Sequence, residues 1–158
     1  MAWRASPAEA KQRDGHSRRA AMKSRVDDSV PVGILGYLHS VPIAWCSIAP
    51  RFTYRKLGGL KEASAHERIW SLACLFIKRE FRGRGFTGQL IGAAVDHAAK
   101  RGANVIEAYP VDPESPSYRF MGFVNVFAAA GFRVVGAVGQ RRHIVRLDIS
   151  DPVKPEDR

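Results

Sequence analysis

A nearly continuous apolar run, Ile69 to Ile77, passes through Lys78-Arg79-Glu80-Phe81 into Arg82-Gly83-Arg84-Gly85 and then directly into a helical pattern. An apolar run of strand length without alternation suits a central strand covered on both faces. In the helix that follows, Leu90, Ile91, Ala94, Val95 and Ala98 fall on one face, and Gly102 stands where a C-terminal stop belongs. Glycines at such a junction let the backbone turn tightly and approach a ligand closely. The first unpaired amides of the helix, aided by its dipole, then point into the turn. That is the form of a pyrophosphate site. Without its context the same turn is only a tight connection carrying solvated arginines. Gly83-Arg84-Gly85-Phe86-Thr87-Gly88 also satisfies the bare dinucleotide-binding pattern. A hairpin precedes it, however, and only one strand follows before the pattern turns antiparallel, which sets a nicotinamide enzyme aside.

The rest of the chain supplies partners for that strand. Val32 to Leu38 and Val41 to Ile48 read as a hairpin across His39-Ser40, ended by Pro50. Arg51 to Glu67, with Gly58-Gly59, reads as a long loop containing a short helix around Leu60 to Ala65, and loops of this length are uncommon unless functional. Asn104 to Tyr109 is the next strand, and Val124 to Ala130 a short helix ended by Gly131. Phe132 to Val138 and His143 to Ile149 form a final strand pair. Near the start, Ser6-Pro7-Ala8-Glu9 has the form of a capping box with Pro at the first helical position. Gly15 is expected to interrupt this helix, with a second, basic helical stretch over Ser17 to Val26. The expected organisation is one domain over 1–150, its residues 1–28 helical and basic, with a flexible tail from Asp151.

The 158 residues carry 25 Lys and Arg against 15 Asp and Glu, a formal net charge of +10, with 46% apolar residues. This balance excludes a disordered tail, a coiled coil and a collagen-like chain. A chain of this size buries about two-thirds of its unfolded surface, so the core needs neither disulfides nor a structural metal. Cys46 and Cys74 sit in apolar stretches without Cys-x-x-Cys spacing and read as reduced core thiols. No apolar run approaches the ~20 residues of a membrane span, and the start of the chain is charged, so a cytoplasmic protein is expected. The positive charge points to a polyanionic partner: nucleic acid, anionic lipid or a small ligand with several phosphates. A nucleic-acid-binding module using the basic N-terminal helices and the Arg-rich turn is one alternative, and its binding would weaken steeply with salt. No aromatic stacking cluster accompanies those basic residues, which makes nucleic acid the weaker reading.

From about Pro31 to Ile149 the order is a hairpin, the strand through Leu75-Phe76-Ile77, the Arg82 to Gly85 turn with its helix, the strand Val105 to Tyr109, and Ala130-Gly131-Phe132 leading into the last strands. This succession resembles the GNAT superfamily of acetyl-coenzyme A-dependent N-acetyltransferases. Pro50-Arg51 after the hairpin and Glu107 to Pro110 in the later strand look most like one bacterial group within it. The resemblance implies a mixed α/β (α+β) fold: a mostly antiparallel central sheet with flanking helices, its strands splayed around the cofactor-binding glycine turn. It also implies transfer of an acetyl group from acetyl-coenzyme A to a primary amine by direct attack. Backbone groups of Leu75 and Ile77 would pair with the pantetheine arm, and the amides of Arg82, Gly83, Arg84, Gly85, Phe86 and Thr87 would bind the pyrophosphate, with charge added by Arg82 and Arg84.

Two positions depart from the family pattern. Glu80 stands where Gln or Arg is common at the start of the turn, and Phe127 where many members carry a Tyr that protonates the departing thiolate. Phenylalanine has no proton to donate, so a catalytically silent, cofactor-binding protein is a further alternative. Glu107 is the first candidate base, because alternation puts Val105, Glu107 and Tyr109 on one strand face; its other reading is as a partner for one of the arginines. Tyr109 and Tyr118 are alternative hydroxyl donors, otherwise packing residues. No His, Cys, Asp and Glu spacing suggests a metal. Nothing strand-like precedes Val30, where the family has a first strand, so either the chain is short or an edge strand is absent, and an uncovered sheet edge is one that a second subunit could cover in a homodimer.

Overall fold

A computed structural model of the protein describes residues 3–12, 14–60 and 64–149. Helix α1 (Pro7–Lys11) starts where the capping box places it: the Ser6 hydroxyl accepts from the Glu9 amide, and Glu9 Oε2 accepts from the Ser6 amide at 2.6 Å. The break that follows is not made by Gly15. The chain leaves the helix at Gln12, and Asp14 Oδ1 accepts from the Ser17 amide at 2.7 Å, so a fresh N-cap opens α2 (Gly15–Asp27) with Gly15 as its first residue. Neither helix buries a residue fully. They are held together by Arg25, which donates to both Glu9 carboxylate oxygens and to the Arg4 carbonyl.

The strands β1 (Ile34–Leu38), β2 (Val41–Pro50), β3 (Ile69–Ile77), β4 (Val105–Ala108), β5 (Arg133–Val138) and β6 (Arg142–Asp148) form one sheet ordered β1-β2-β3-β4-β6-β5. Every pairing is antiparallel except β3 with β4. His39 and Ser40 both adopt left-handed backbone at the β1–β2 turn, the conformation that matches the twist of a tight hairpin. Helices α3 (Phe86–Ala99) and α4 (Val124–Ala129) cover one face, over a core that includes Cys46, Ile48, Leu72, Ile91, Ile106 and Phe127. A smaller core of Ala49, Tyr54, Leu57, Ala73, Tyr109, Met121 and Ile144 lies on the other face. Among the described residues no helix is long and apolar enough to cross a membrane. The tail from Asp151 lies outside the described residues, as does the middle of the short helix expected around Leu60 to Ala65; Leu60, Ser64 and Ala65 are not helical.

Two local irregularities at the same level of the sheet create its most useful feature. On β3, the partners of Ser47 and Ile48 are Cys74 and Leu72, so Ala73 is an extra, bulged residue. The bulge resets the alternation: Trp70 and Leu72 before it, and Leu75 and Ile77 after it, face the same core. Phe76, expected in the core, is therefore turned outward beside Trp45 and is half exposed. On β4, Pro110 has no N–H to offer, and ladder pairing to β3 ends at Leu72–Ala108. The chain then joins a different partner. Val111 bonds to Gly122 and Val124, and Pro110 accepts from His143. Beyond this level β3 and the continuation of β4 diverge, and the residues from Ala73 to Ile77 have no β4 partner.

Candidate active site

The wedge between β3 and β4 opens toward the glycine turn. A short 3-10 turn, Arg79–Phe81, links β3 to Arg82, whose Nε donates to the Ile77 carbonyl at 2.9 Å and fixes the turn against the strand end. Gly83 and Gly85 then adopt φ +74 and +78, backbone that a side chain resists. A Cβ at either would meet nothing within 4 Å, so glycine is required there by conformation, and the concavity stays open. Gly85 caps α3 with no side-chain hydrogen bond, which leaves the first amides of a 14-residue helix facing the turn. Arg82 and Arg84 are exposed, and Arg84 lies 5.6 Å from the Phe81 ring. Phe86 and Thr87 are half-buried, Phe86 edge-on to Phe81. Open left-handed glycines, free helix amides and two exposed arginines without a carboxylate partner among the described residues fit a pyrophosphate-bearing cofactor such as coenzyme A. Leu75 and Ile77 are buried on the α3–α4 face. Gly122, at φ +85, lets the segment after Tyr118 pass against Leu75 and Phe127; a Cβ there would lie 2.9 Å from Leu75 Cδ1 and 2.8 Å from Phe127 Cε2. Phe127 is fully buried, edge-on to Phe132.

On the opposite face, a cavity of about 270 Å³ reaches the bulge, walled by Trp3, Trp45, Tyr54, Phe120, Ala73 and Cys74, with Arg4, Met22 and Ser47 completing it. Sequence reading missed this group, because Arg4, Ser47 and Tyr54 meet only in the folded chain. Ser47 Oγ donates to the Val32 carbonyl, so it accepts from Arg4 Nε at 3.3 Å and from the Tyr54 hydroxyl at 3.0 Å. Burial holds the Tyr54 phenol above its ordinary pKa, and it stays protonated at neutral pH. Burial likewise raises the half-buried Cys74 thiol, which argues against an acyl-carrying thiolate.

Glu107 and Tyr109 come together as alternation implies, but inside an ion-pair cluster. The fully buried Glu107 accepts from Tyr109 Oη at 2.6 Å, from Arg146 Nε at 2.8 Å, and from Arg51 Nη1 at 3.4 Å on each oxygen. Ser71 in turn donates to Tyr109 Oη at 3.1 Å. Burial, then the Glu107 charge, pushes the Tyr109 phenol far above its ordinary pKa. Gly59 rests directly on the carboxylate: a Cβ there would sit 1.9 Å from Glu107 Oε1. Tyr118 stands apart from this pair. It adopts φ 59 at the start of the Arg119–Met121 turn and packs under Arg142, whose guanidinium lies 5.2 Å from its ring and 5.0 Å from that of Trp3.

Comparison with solved structures places this geometry. PaiA N-acetyltransferase from Thermoplasma acidophilum, in complex with coenzyme A, is 15% identical, with a TM-score of 0.55 over 84% of this chain and 70% of that one. The ribosomal-protein-alanine N-acetyltransferase from Brucella melitensis is 18% identical, with a TM-score of 0.54 over 84% of this chain and 76% of that one. For yncA from Salmonella typhimurium, with its cofactor acetyl-CoA, the values are 16%, 0.57, 90% and 78%. At these identities the likeness is one of fold. No curated protein sequence matches the chain. The model of the acetyltransferase (GNAT) family matches residues 2–123, from the N-terminal helices through the wedge to Phe123. The chain therefore belongs to the acetyltransferase (GNAT) family.

Proposed function

We propose that the protein is a cytoplasmic, acetyl-coenzyme A-dependent N-acetyltransferase that passes the acetyl group to a primary amine at the level of Ala73 and Cys74. One observation carries the reading: the unpaired stretch of β3 runs from the bulge, where the 270 Å³ cavity ends, to the open glycine turn. The cofactor, when bound, supplies an acetyl group activated as a thioester. The amides and arginines of 82–87 hold its pyrophosphate, and the free β3 edge offers backbone groups to its pantetheine arm. The amine enters from the aromatic face. Among the described residues no Asp, Glu or His lines that cavity, and in this scheme the proton of the incoming ammonium leaves to solvent.

Glu107 acts in this scheme by position. Both its oxygens already accept from Arg146, Arg51 and Tyr109, so it anchors the loop at Arg51 to β4. Tyr54 donates to Ser47 and Tyr109 to Glu107. Tyr118 keeps an uncommitted hydroxyl among the described residues, and we assign it, in place of the missing Tyr at Phe127, as the proton donor to the departing thiol. The uncovered edge of β1, with Leu35 and Tyr37 exposed, is the place for the expected homodimer contact.

Calorimetric titration with coenzyme A, repeated with dephosphorylated pantetheine, tests the cofactor assignment. Micromolar binding of the first alone is expected, and its loss in Gly83→Asp with Arg84→Glu. Unchanged binding in that variant would show that the turn is not the site.

A further inference from the structure

The cavity on the aromatic face contains a positive charge that the fold does not neutralise. Arg4 is 7% exposed. Its Nε donates to Ser47 Oγ, its Nη1 to the Pro31 carbonyl at 3.0 Å, and its guanidinium lies 4.1 Å from the centre of the Tyr54 ring. Its Nη2 is buried and, among the described residues, meets neither a carboxylate nor any other acceptor. Trp3 Nε1, on the preceding residue, is also buried without an acceptor among the described residues. Both residues line the cavity that reaches Ala73 and Cys74. Three other sheltered arginines have a carboxylate: Arg25 has Glu9, while Arg51 and Arg146 have Glu107, and Arg146 also Glu67; the half-buried Arg142 instead donates to the Leu57 carbonyl and stacks on Trp3 and Tyr118. A guanidinium cannot shed its charge by deprotonation, so a buried one needs either a counter-anion or full hydrogen bonding. Arg4 has neither among the described residues.

We propose that the missing counter-anion is a carboxylate of the acceptor itself, and that the acceptor is a free amino acid with an apolar side chain. This rests on the reading that the amine is acetylated at Ala73 and Cys74. Two unfilled donors, Arg4 Nη2 and Trp3 Nε1, suit the two oxygens of a carboxylate. Ser47, which Arg4 contacts, is the direct cross-strand partner of Cys74, and such partners lie about 5 Å apart. An amine and a carboxylate on one carbon lie about 3 Å apart, and with one hydrogen bond of about 3 Å added they span a gap of that order. Trp3, Trp45, Tyr54 and Phe120 offer aromatic walls to an apolar side chain. A polycationic acceptor would meet Arg4 with no carboxylate among the described lining residues to offset it.

The test uses matched sets: leucine, leucinamide and 3-methylbutylamine, and phenylalanine with its amide and phenethylamine. Thiol release from acetyl-coenzyme A gives kcat/KM, and the fluorescence of Trp3 and Trp45 during titration, with coenzyme A present, gives Kd. The acids are expected to exceed the amides about tenfold or more in both measures. Arg4→Met should abolish that preference, Arg4→Lys should keep part of it, and the KM for acetyl-coenzyme A should stay unchanged in each. Equal use of acids and amides, or preference surviving in Arg4→Met, overturns the proposal and leaves N-acetyl transfer standing. Coenzyme A binding with no acetylation of any amine would count against the proposed reaction. The fluorescence titration then still decides Arg4: no preference for the acids overturns its assignment.

Discussion

Replacing Glu107 by Gln keeps the shape of the side chain and removes its charge, which separates an anchoring carboxylate from a proton-accepting one. In the folded protein its oxygens face three donors, from Tyr109, Arg146 and Arg51. The Gln amide nitrogen must point at one of these donors, and the buried Arg146 loses its shorter ion pair. Removing one partner of a buried pair costs about 3–5 kcal/mol. Two features hold the value near the lower end: Arg146 keeps Glu67 at 3.2 Å, and the Arg51 side chain is 26% exposed and partly hydrated. A loss of about 3 kcal/mol shifts a urea midpoint by about 1.5 M for a slope of about 2 kcal/mol/M. It lowers Tm by about 6–12 °C for a chain of this length. At a temperature where the variant is still folded, kcat should fall by less than about tenfold. Adding Arg146→Met should recover part of the stability, because the uncompensated charge goes and Glu67 is exposed enough to be solvated. An unchanged urea midpoint together with a rate loss of about 10²–10⁴ would refute the anchoring role and mark Glu107 as the base.

Other consequences are local. Hydrogen bonds from Arg25 and from the Ser6 amide hold the Glu9 carboxyl at a pKa of about 2, against an ordinary value of 4.5. A depressed carboxyl contributes stability that is complete above its unfolded pKa and lost as pH falls through the folded one. The destabilisation caused by Glu9→Gln should therefore be full above about pH 5 and fade toward pH 2, as thermal melts at a series of pH values will show. Gly85→Ala forces a side chain into φ +78 and should cost about 1–2 kcal/mol while weakening coenzyme A binding in calorimetry; unchanged binding would separate the turn from the ligand.

Local rules in the sequence carried most of the architecture. Ser6 and Glu9 make their reciprocal bonds, β3 has the bounds of the apolar run, and both glycines of the turn adopt positive φ. Gly15 misled because a glycine near the break resembles its cause, whereas Asp14 starts the new helix. The bulge at Ala73 was illegible for a clear reason. In Leu72-Ala73-Cys74-Leu75-Phe76 every residue is apolar, so a one-residue slip leaves no mark on the pattern, and Phe76 looked as buried as its neighbours. Alternation did put Glu107 and Tyr109 on one face. Their arginine partners come from Arg51 and Arg146, on a distant loop and strand, and no spacing rule connects such positions.

The net charge of +10 is better understood arginine by arginine than as a total. Three guanidiniums that brace the fold have a carboxylate: Arg25 has Glu9, Arg51 has Glu107, and Arg146 has Glu107 with Glu67. Arg4, Arg82 and Arg84 have no carboxylate partner among the described residues. Arg82 and Arg84 flank the glycine turn, and Arg4 lines the cavity at the bulge, so these three charges sit at opposite ends of the unpaired β3 edge. A buried charge left unpaired, as at Arg4, costs stability in the empty protein and is repaid by an anion arriving there, whereas the exposed Arg82 and Arg84 are hydrated until a ligand comes. The same accounting implies one anion at each end, a pyrophosphate at the turn and a carboxylate at the bulge, with the acetyl group exchanged between them.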